Sequence, residues 1–140
     1  LFGFIVLNWY PSKVFMGDAG SLFLGSYLTS LIFSSVNLIE IIKILFLCSP
    51  LLLDSLSCIV RRLLNRQNIF KSHKLHLYQR LVSNGLSHSV VTSLYMATTI
   101  FLSLFYLFFN LFYFTIAVSL IIFLGIYIDK KYAANFNQFV

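Results

Sequence analysis

The sequence has 140 residues, of which 59% are hydrophobic and only 10% are charged, whereas soluble domains carry about a quarter charged residues. This composition excludes an ordinary soluble globular domain. The net charge of +6 does not indicate nucleic-acid binding, because six of the ten basic residues lie between Arg61 and Arg80, where there is no acid. That distribution is typical of a cytoplasmic loop in a membrane protein.

The apolar segments, taken in chain order, predict a helical membrane protein. The opening LFGFIVL is too short to span a bilayer and predicts the end of a helix whose beginning is missing. Longer apolar segments follow at about Gly20 to Val36, Ile41 to Val60, His88 to Phe109 and Phe112 to Ile128. Runs of this length should be helices, since lipid cannot satisfy backbone polar groups. We therefore expect an all-α polytopic transmembrane bundle with four full spans plus a truncated one.

The basic residues also predict the orientation of this bundle. The excess of Lys and Arg places loop 61–87 in the cytoplasm, and alternation of the spans then places loop 8–18 on the same side. Residues 1–140 would form a single membrane domain, the C-terminal part of a larger protein. Cys48 and Cys58 show neither a disulfide framework nor metal-ligand spacing, which predicts that they are packing residues.

The first polar loop reads NWYPSKVFMGDAGSLFLG, from Asn8 to Gly25. Asp18 lies where this polar segment gives way to an apolar helix. The start of a helix offers unpaired N–H groups and a positive dipole end, which suit phosphate oxygens. A carboxylate there could hold Mg2+ together with substrate phosphates. The alternative is that Asp18 only caps the helix.

The second stretch runs from Pro50 to Leu81 and begins with an acid inside an apolar zone. Asp54 lies about two helical turns before Arg61, where a charge costs roughly 2.5 to 3.5 kcal/mol on insertion scales. A cost of this size predicts either a functional acid or a structural partner for a polar group on a neighbouring helix.

Basic residues surround His73 and His76 in the rest of this stretch, a pattern suited to phosphate ligands. They are Arg61, Arg62, Arg66, Lys71, Lys74 and Arg80. The alternative is attraction to anionic lipid headgroups. The histidines favour the phosphate interpretation, because His can supply a hydrogen bond or a proton near neutral pH. A zinc site formed by His73, His76 and His88 is not favoured, since no fourth ligand is evident.

Together the two stretches resemble the polyprenyl-phosphate N-acetylhexosamine-1-phosphate transferases, glycosyltransferase family 4. The resemblance covers about half of the chain. It rests on Asn8, Pro11, Phe15 and FMGDAGSLFLG in the first stretch, and on Pro50, Asp54, Arg62 and HKLHLYQRL in the second. The chain lacks the three consecutive histidines of the family's cell-wall branch, which favours the bacterial surface-polysaccharide branch.

The resemblance implies specific roles for residues of this chain. Asp18 would bind catalytic Mg2+, with Mn2+ as an alternative ion, and Asn8 would help to form the nucleotide site. Phe15 would pack near the uracil base, and His76 would lie close to the diphosphate, with His73 at a more variable position. The predicted catalytic residues are Asp18, His73 and His76; the predicted substrate-binding residues are Asn8, Lys13, Phe15, Arg62, Lys74 and Arg80.

The activity implied by the resemblance is transfer of a sugar 1-phosphate, of N-acetylhexosamine type, from a UDP-sugar to polyprenyl phosphate. The products would be UMP and a polyprenyl-diphospho-sugar that initiates cell-envelope polysaccharide synthesis in the bacterial cytoplasmic membrane. Membrane lipid is the other expected partner and nucleic acid is not; a homodimer and a two-step mechanism stay open. The family's paired aspartates of an earlier loop are missing, so we expect the fragment alone to be inactive. The alternatives are a non-catalytic membrane subunit, a transporter fragment and an inactive relative.

Overall fold

The computed structural model describes residues 2–35, 37–71 and 73–136, and the regular structure in these ranges is helical. The described helices are α1 (Phe2–Asn8), α2 (Gly17–Ser34), α3 (Leu38–Leu47), α4 (Ser49–Leu64), α5 (Leu77–Ser83), α6 (His88–Phe108) and α7 (Leu111–Tyr132). The expected all-α class is thereby confirmed. The chain forms two compact units, one ending at Ile44 and the other beginning at Leu45, and each is described by itself.

Helices α6 and α7 are the clearest membrane-spanning helices among the described residues. Side-chain oxygens cap both of their starts: Ser87 accepts a hydrogen bond from the Val90 amide (3.3 Å) and Asn110 accepts one from the Tyr113 amide (3.3 Å). These bonds satisfy N–H groups that have no partner within the helix. The two helices pack through a buried cluster formed by Leu102, Phe114, Ala117 and Val118.

The number of spans differs from the four expected. Besides α6 and α7, the only other candidate in the described chain is the pair α3 and α4, which is bent by 72° and forms either a broken span or a re-entrant loop. Helix α2 is 18 residues long, but Asp18 and several serines make it too polar to count as a candidate.

An unbroken span from Ile41 to Val60 was a wrong prediction, because the chain bends between α3 and α4. Pro50 lies in the first turn of α4. Proline has no N–H to donate to the preceding turn, and its ring clashes with the carbonyl four residues earlier. The apolar run is therefore continuous in sequence but not in helical structure.

Part of the segment from 61 to 87, which was predicted to be a loop, is helical. Helix α4 continues to Leu64, and α5 begins at Leu77. The backbone N–H of His76, just before α5, donates to the Gln79 side chain at 3.2 Å, which is half of a capping box. This short helix holds the second histidine at a defined position.

Candidate functional site

The first unit contains the loop that connects α1 to α2. The Asn8 side-chain amide donates to the Val14 carbonyl at 2.7 Å, and the Lys13 amide donates to the Leu7 carbonyl at 2.9 Å. These two hydrogen bonds fold the loop back onto the end of α1. Asn8, predicted to form part of a nucleotide site, thus also closes this loop.

Asp18 lies in the first turn of α2 and is exposed. The cap residue of this helix is Met16, whose side chain makes no capping hydrogen bond, so Asp18 is not the cap. Ser21 bonds only the backbone carbonyl of Asp18, at 3.0 Å. In the described part of the chain no hydrogen bond or ion pair reaches its carboxylate, which therefore faces solvent with its oxygens available.

Two glycines determine how the chain enters α2. Gly17 has a φ of +63°, a left-handed conformation that strains residues with a Cβ atom. A Cβ atom on Gly20 would lie 2.3 Å from Cγ of Met16, so the Met16 side chain packs where any larger residue would stand. Lys13 and Phe15, predicted to bind substrate, are both exposed, and 79% of the Phe15 surface is accessible.

The second unit is organised around Asp54, which is buried, with only 8% of its surface exposed. Its Oδ1 accepts a hydrogen bond from the Leu77 amide (2.8 Å), and its Oδ2 accepts one from the Tyr95 hydroxyl (3.3 Å). One carboxylate on α4 therefore fixes the start of α5 and contacts α6. This is the structural role that we considered for Asp54, and its role as a functional acid stays a prediction.

The two predicted catalytic histidines lie side by side, with ring centroids 5.2 Å apart. Nδ1 of His76 is 3.9 Å from Oδ1 of Asp54, and the His76 ring stacks on Tyr78 with centroids 5.4 Å apart. Burial lowers the pKa of His73 below its ordinary value, and the electrostatic effects of Arg62 and of His76 lower it further. This shift favours the neutral imidazole, which can accept a proton or bind an ion through nitrogen.

Arg62 was predicted to bind substrate, and the structure places it in the interior of the basic loop. It is 4% exposed. Its guanidinium donates to the carbonyls of Ile69 (3.2 Å) and Lys71 (3.0 Å), and also to that of Asn68. The group thus organises the turn after α4, and contact with a substrate stays a prediction.

Arg80, another predicted substrate-binding residue, is equally buried and pairs with an acid on the last helix. Asp129 of α7 accepts hydrogen bonds from both Arg80 and Arg61, and Arg80 also donates to the Ala134 carbonyl at 2.9 Å. Both guanidinium groups lie over the Phe136 ring, 5.6 and 5.7 Å from its centroid. Asp129 therefore joins α4, α5 and α7, while Lys74 remains exposed.

Sequence reasoning did not identify Asp129 or Phe136. One signal was present for Asp129: the chain has only four acids against ten basic residues, so an acid at the end of the last apolar run had many cations to pair with. No signal identified Phe136, which is one of 16 phenylalanines.

The predicted site residues divide between the two units. Asn8, Lys13, Phe15 and Asp18 belong to the unit that ends at Ile44, and Asp54, Arg62, His73, Lys74, His76 and Arg80 belong to the unit that begins at Leu45. The second unit also contains a cavity of about 370 Å³, lined mainly by apolar side chains of α4, α6 and α7. Its polar lining residues include Asp54, Tyr95 and the ion pairs that Asp129 forms with Arg61 and Arg80.

Comparison with known proteins connects these features to one family. The profile of glycosyl transferase family 4 matches residues 1–36. A probable undecaprenyl-phosphate N-acetylglucosaminyl 1-phosphate transferase of Bacillus subtilis is 38% identical over 104 residues, which are 71% of this chain and 29% of that protein. No solved structure matches.

Two further relatives carry similar names. A decaprenyl-phosphate N-acetylglucosaminephosphotransferase of Mycobacterium leprae is 34% identical over 66% of this chain and 27% of its own length. A phospho-N-acetylmuramoyl-pentapeptide-transferase of Fervidobacterium nodosum is 31% identical over 79% of this chain and 36% of its own length. The matched region is thus about a third or less of these relatives. The chain, with its apolar membrane helices, belongs to glycosyl transferase family 4.

Proposed function

We propose that the protein containing this chain transfers a sugar 1-phosphate, of N-acetylhexosamine type, from a UDP-sugar to polyprenyl phosphate. The observation that carries this proposal is the similarity to polyprenyl-phosphate sugar-phosphate transferases over about two thirds or more of the chain. The products are a polyprenyl-diphospho-sugar and UMP. The excess of basic residues supports a cytoplasmic location for the segment from 61 to 87.

Asp18 is the residue that we assign to Mg2+. Its exposed carboxylate has no partner in the described chain and stands in the first turn of α2, which fits an ion that takes one or two carboxylates together with substrate phosphates. When bound, Mg2+ would neutralise the negative charge that develops on the diphosphate. Phe15 lies in the loop between α1 and α2, and its exposed ring offers a face on which a nucleobase can stack.

The basic segment before α5 supplies the groups that orient the diphosphate. Lys74 is exposed and His76 is partly exposed, so both can reach an anionic ligand. The fold holds His76 in place through its stacking on Tyr78 and through the Asp54 contact at the start of α5. A preorganised donor of this kind stabilises charge without reorganising during the reaction.

The cavity of the second unit supports the lipid part of the proposal. Its lining is largely apolar, and an isoprenoid chain is an apolar ligand whose burial is favourable in such surroundings. We assign the lipid chain of polyprenyl phosphate to this cavity. Its phosphate would then act as the nucleophile.

A direct assay tests the proposed function. Membranes containing the full-length protein are incubated with UDP-N-acetylglucosamine labelled in the sugar, polyprenyl phosphate and Mg2+. We expect label in a lipid-extractable diphospho-sugar with one UMP released per lipid product, and no product when Mg2+ is chelated. Binding of the protein to anionic vesicles without any turnover would instead support the non-catalytic membrane subunit.

The two histidines should contribute unequally to turnover. We expect His76→Ala to lower kcat about a hundredfold, as for loss of a positioned proton donor, and His73→Ala to lower it about tenfold or less. His88→Ala, at the start of α6, is the matched control and should leave turnover unchanged. The reverse order of the two effects would contradict the assignment of His76 to the diphosphate.

A further inference from the structure

Three side chains that can bind a metal ion come together in the second unit. Cys58, His73 and His76 each offer one ligand atom, and these three atoms lie within 4.8 Å of one another. Cys58 comes from α4, and the histidines come from the segment leading into α5. Cys58 is 2% exposed while the histidines are partly exposed, so the cluster is anchored in the interior and accessible from outside.

The separation between two of these atoms suits a tetrahedral transition metal. Cys58 Sγ and His73 Nδ1 are 3.9 Å apart. Two ligands of one Zn2+, at about 2.3 Å for sulfur and about 2.0 Å for nitrogen, are about 3.5 Å apart at the tetrahedral angle. His73 Nδ1 also accepts a hydrogen bond from the Leu75 amide at 3.4 Å. Metal binding would replace that bond and would need a shift of a few tenths of an ångström to bring both atoms to bonding distance.

His76 has the surroundings of a metal-ligating histidine. Its Nδ1 is buried, makes no hydrogen bond within the described residues and lies 3.9 Å from the Asp54 carboxylate. Metal-bound histidines usually direct their second ring nitrogen at a carboxylate, which fixes the ring and the tautomer. Asp54 is itself held by the Leu77 amide and the Tyr95 hydroxyl, so it is a fixed partner for this ring.

We propose that Cys58, His73 and His76 bind a divalent transition metal, Zn2+ above all, with the fourth position open to water or an anion. Binding through the Cys58 thiolate releases the thiol proton to solvent. Sulfur and imidazole ligands select Zn2+ over Mg2+, which prefers oxygen. The site is thus distinct from that assigned to Asp18, although it shares His73 and His76 with the predicted catalytic residues. Its test therefore measures metal binding and not transferase activity.

Metal binding by the full-length protein, purified in detergent and stripped with a chelator, tests this site. We expect one tightly bound Zn2+ per chain in equilibrium dialysis. Co2+ should give a thiolate-to-metal charge-transfer band, because sulfur is a ligand. Cys58→Ser should weaken Zn2+ binding about a hundredfold or more and abolish the Co2+ band. His73→Gln, at a partly exposed position that tolerates polar side chains, should weaken Zn2+ binding to a similar extent.

The other cysteine and the third histidine provide matched controls outside the cluster. Cys48→Ser and His88→Ala should bind Zn2+ as the wild type does, and circular dichroism should show equal helix content for all four variants. The proposal is overturned if the wild type binds no more Zn2+ than His73→Gln, or if its Co2+ complex lacks the thiolate band. Because His73 and His76 are also predicted catalytic residues, Zn2+ binding and the Co2+ band, and not transferase activity, decide between these outcomes.

Discussion

Asp18→Asn should reduce sugar-phosphate transfer by about two to three orders of magnitude, with the protein still inserted in the membrane. The amide keeps the size of the side chain but loses the charge that holds Mg2+, and an ion that neutralises a diphosphate is worth several kcal/mol of barrier. Because the Asp18 carboxylate has no partner in the described chain, its loss should cost little stability. Initial rates at saturating UDP-sugar, in membranes with equal protein content, measure the effect.

Glu40 provides the control for this substitution. It is an acid in the first turn of α3, as Asp18 is in α2, and Glu40→Gln also removes one negative charge. We expect Glu40→Gln to retain wild-type turnover, while Asp18→Asn also loses Mg2+-dependent binding of UMP. Equal turnover in Asp18→Asn and wild type would refute the assignment of Asp18 to the metal.

Asp129→Asn should lower the free energy of unfolding by about 3 kcal/mol, because it leaves a buried guanidinium without its counterion. Arg80 has a side chain that is 5% exposed, whereas that of Arg61 is 40% exposed. Water can therefore replace the carboxylate at Arg61 but not at Arg80, and we take the lower end of the cost of breaking a buried pair. Unfolding of the purified protein in mixed detergent micelles, followed by circular dichroism, measures it.

Lys130→Gln is the control for Asp129→Asn, since Lys130 is the adjacent charged residue and is exposed. Its substitution should change stability by about 0.5 kcal/mol or less. A double-mutant cycle with Arg80→Gln should give a coupling energy of about 1 kcal/mol or more. No coupling, or equal losses for Asp129→Asn and Lys130→Gln, would show that the pair does not hold α5 to α7.

The last two helices were predictable because their signals are local. The expected segment His88 to Phe109 matches α6 within one residue, and α7 extends the segment Phe112 to Ile128 by one residue at its start and four at its end. Long apolar runs determine these helices, and the Ser87 and Asn110 caps mark where they begin. The break at Pro50 was missed because hydropathy does not register a missing N–H group.

Features that depend on contacts between distant residues were not predictable. Helix α5 has only seven residues, and its first amide binds Asp54, which is 23 positions earlier in the chain. Cys58 lies 15 residues before His73, so no local spacing indicated their contact. Charge alone could not distinguish an arginine that faces a ligand from one like Arg62, whose guanidinium is directed at carbonyls of its own loop.

The bend between α3 and α4 has a consequence for hydration within the apolar zone. A helix interrupted at membrane depth leaves peptide groups that lipid cannot satisfy, so such an interruption is tolerated only against protein or beside water. Ser49 and Pro50, at the bend, line the cavity of the second unit, and the Ser49 hydroxyl makes no hydrogen bond within the described chain. The part of the cavity wall formed by these residues should therefore hold water molecules, although most of the cavity surface is apolar.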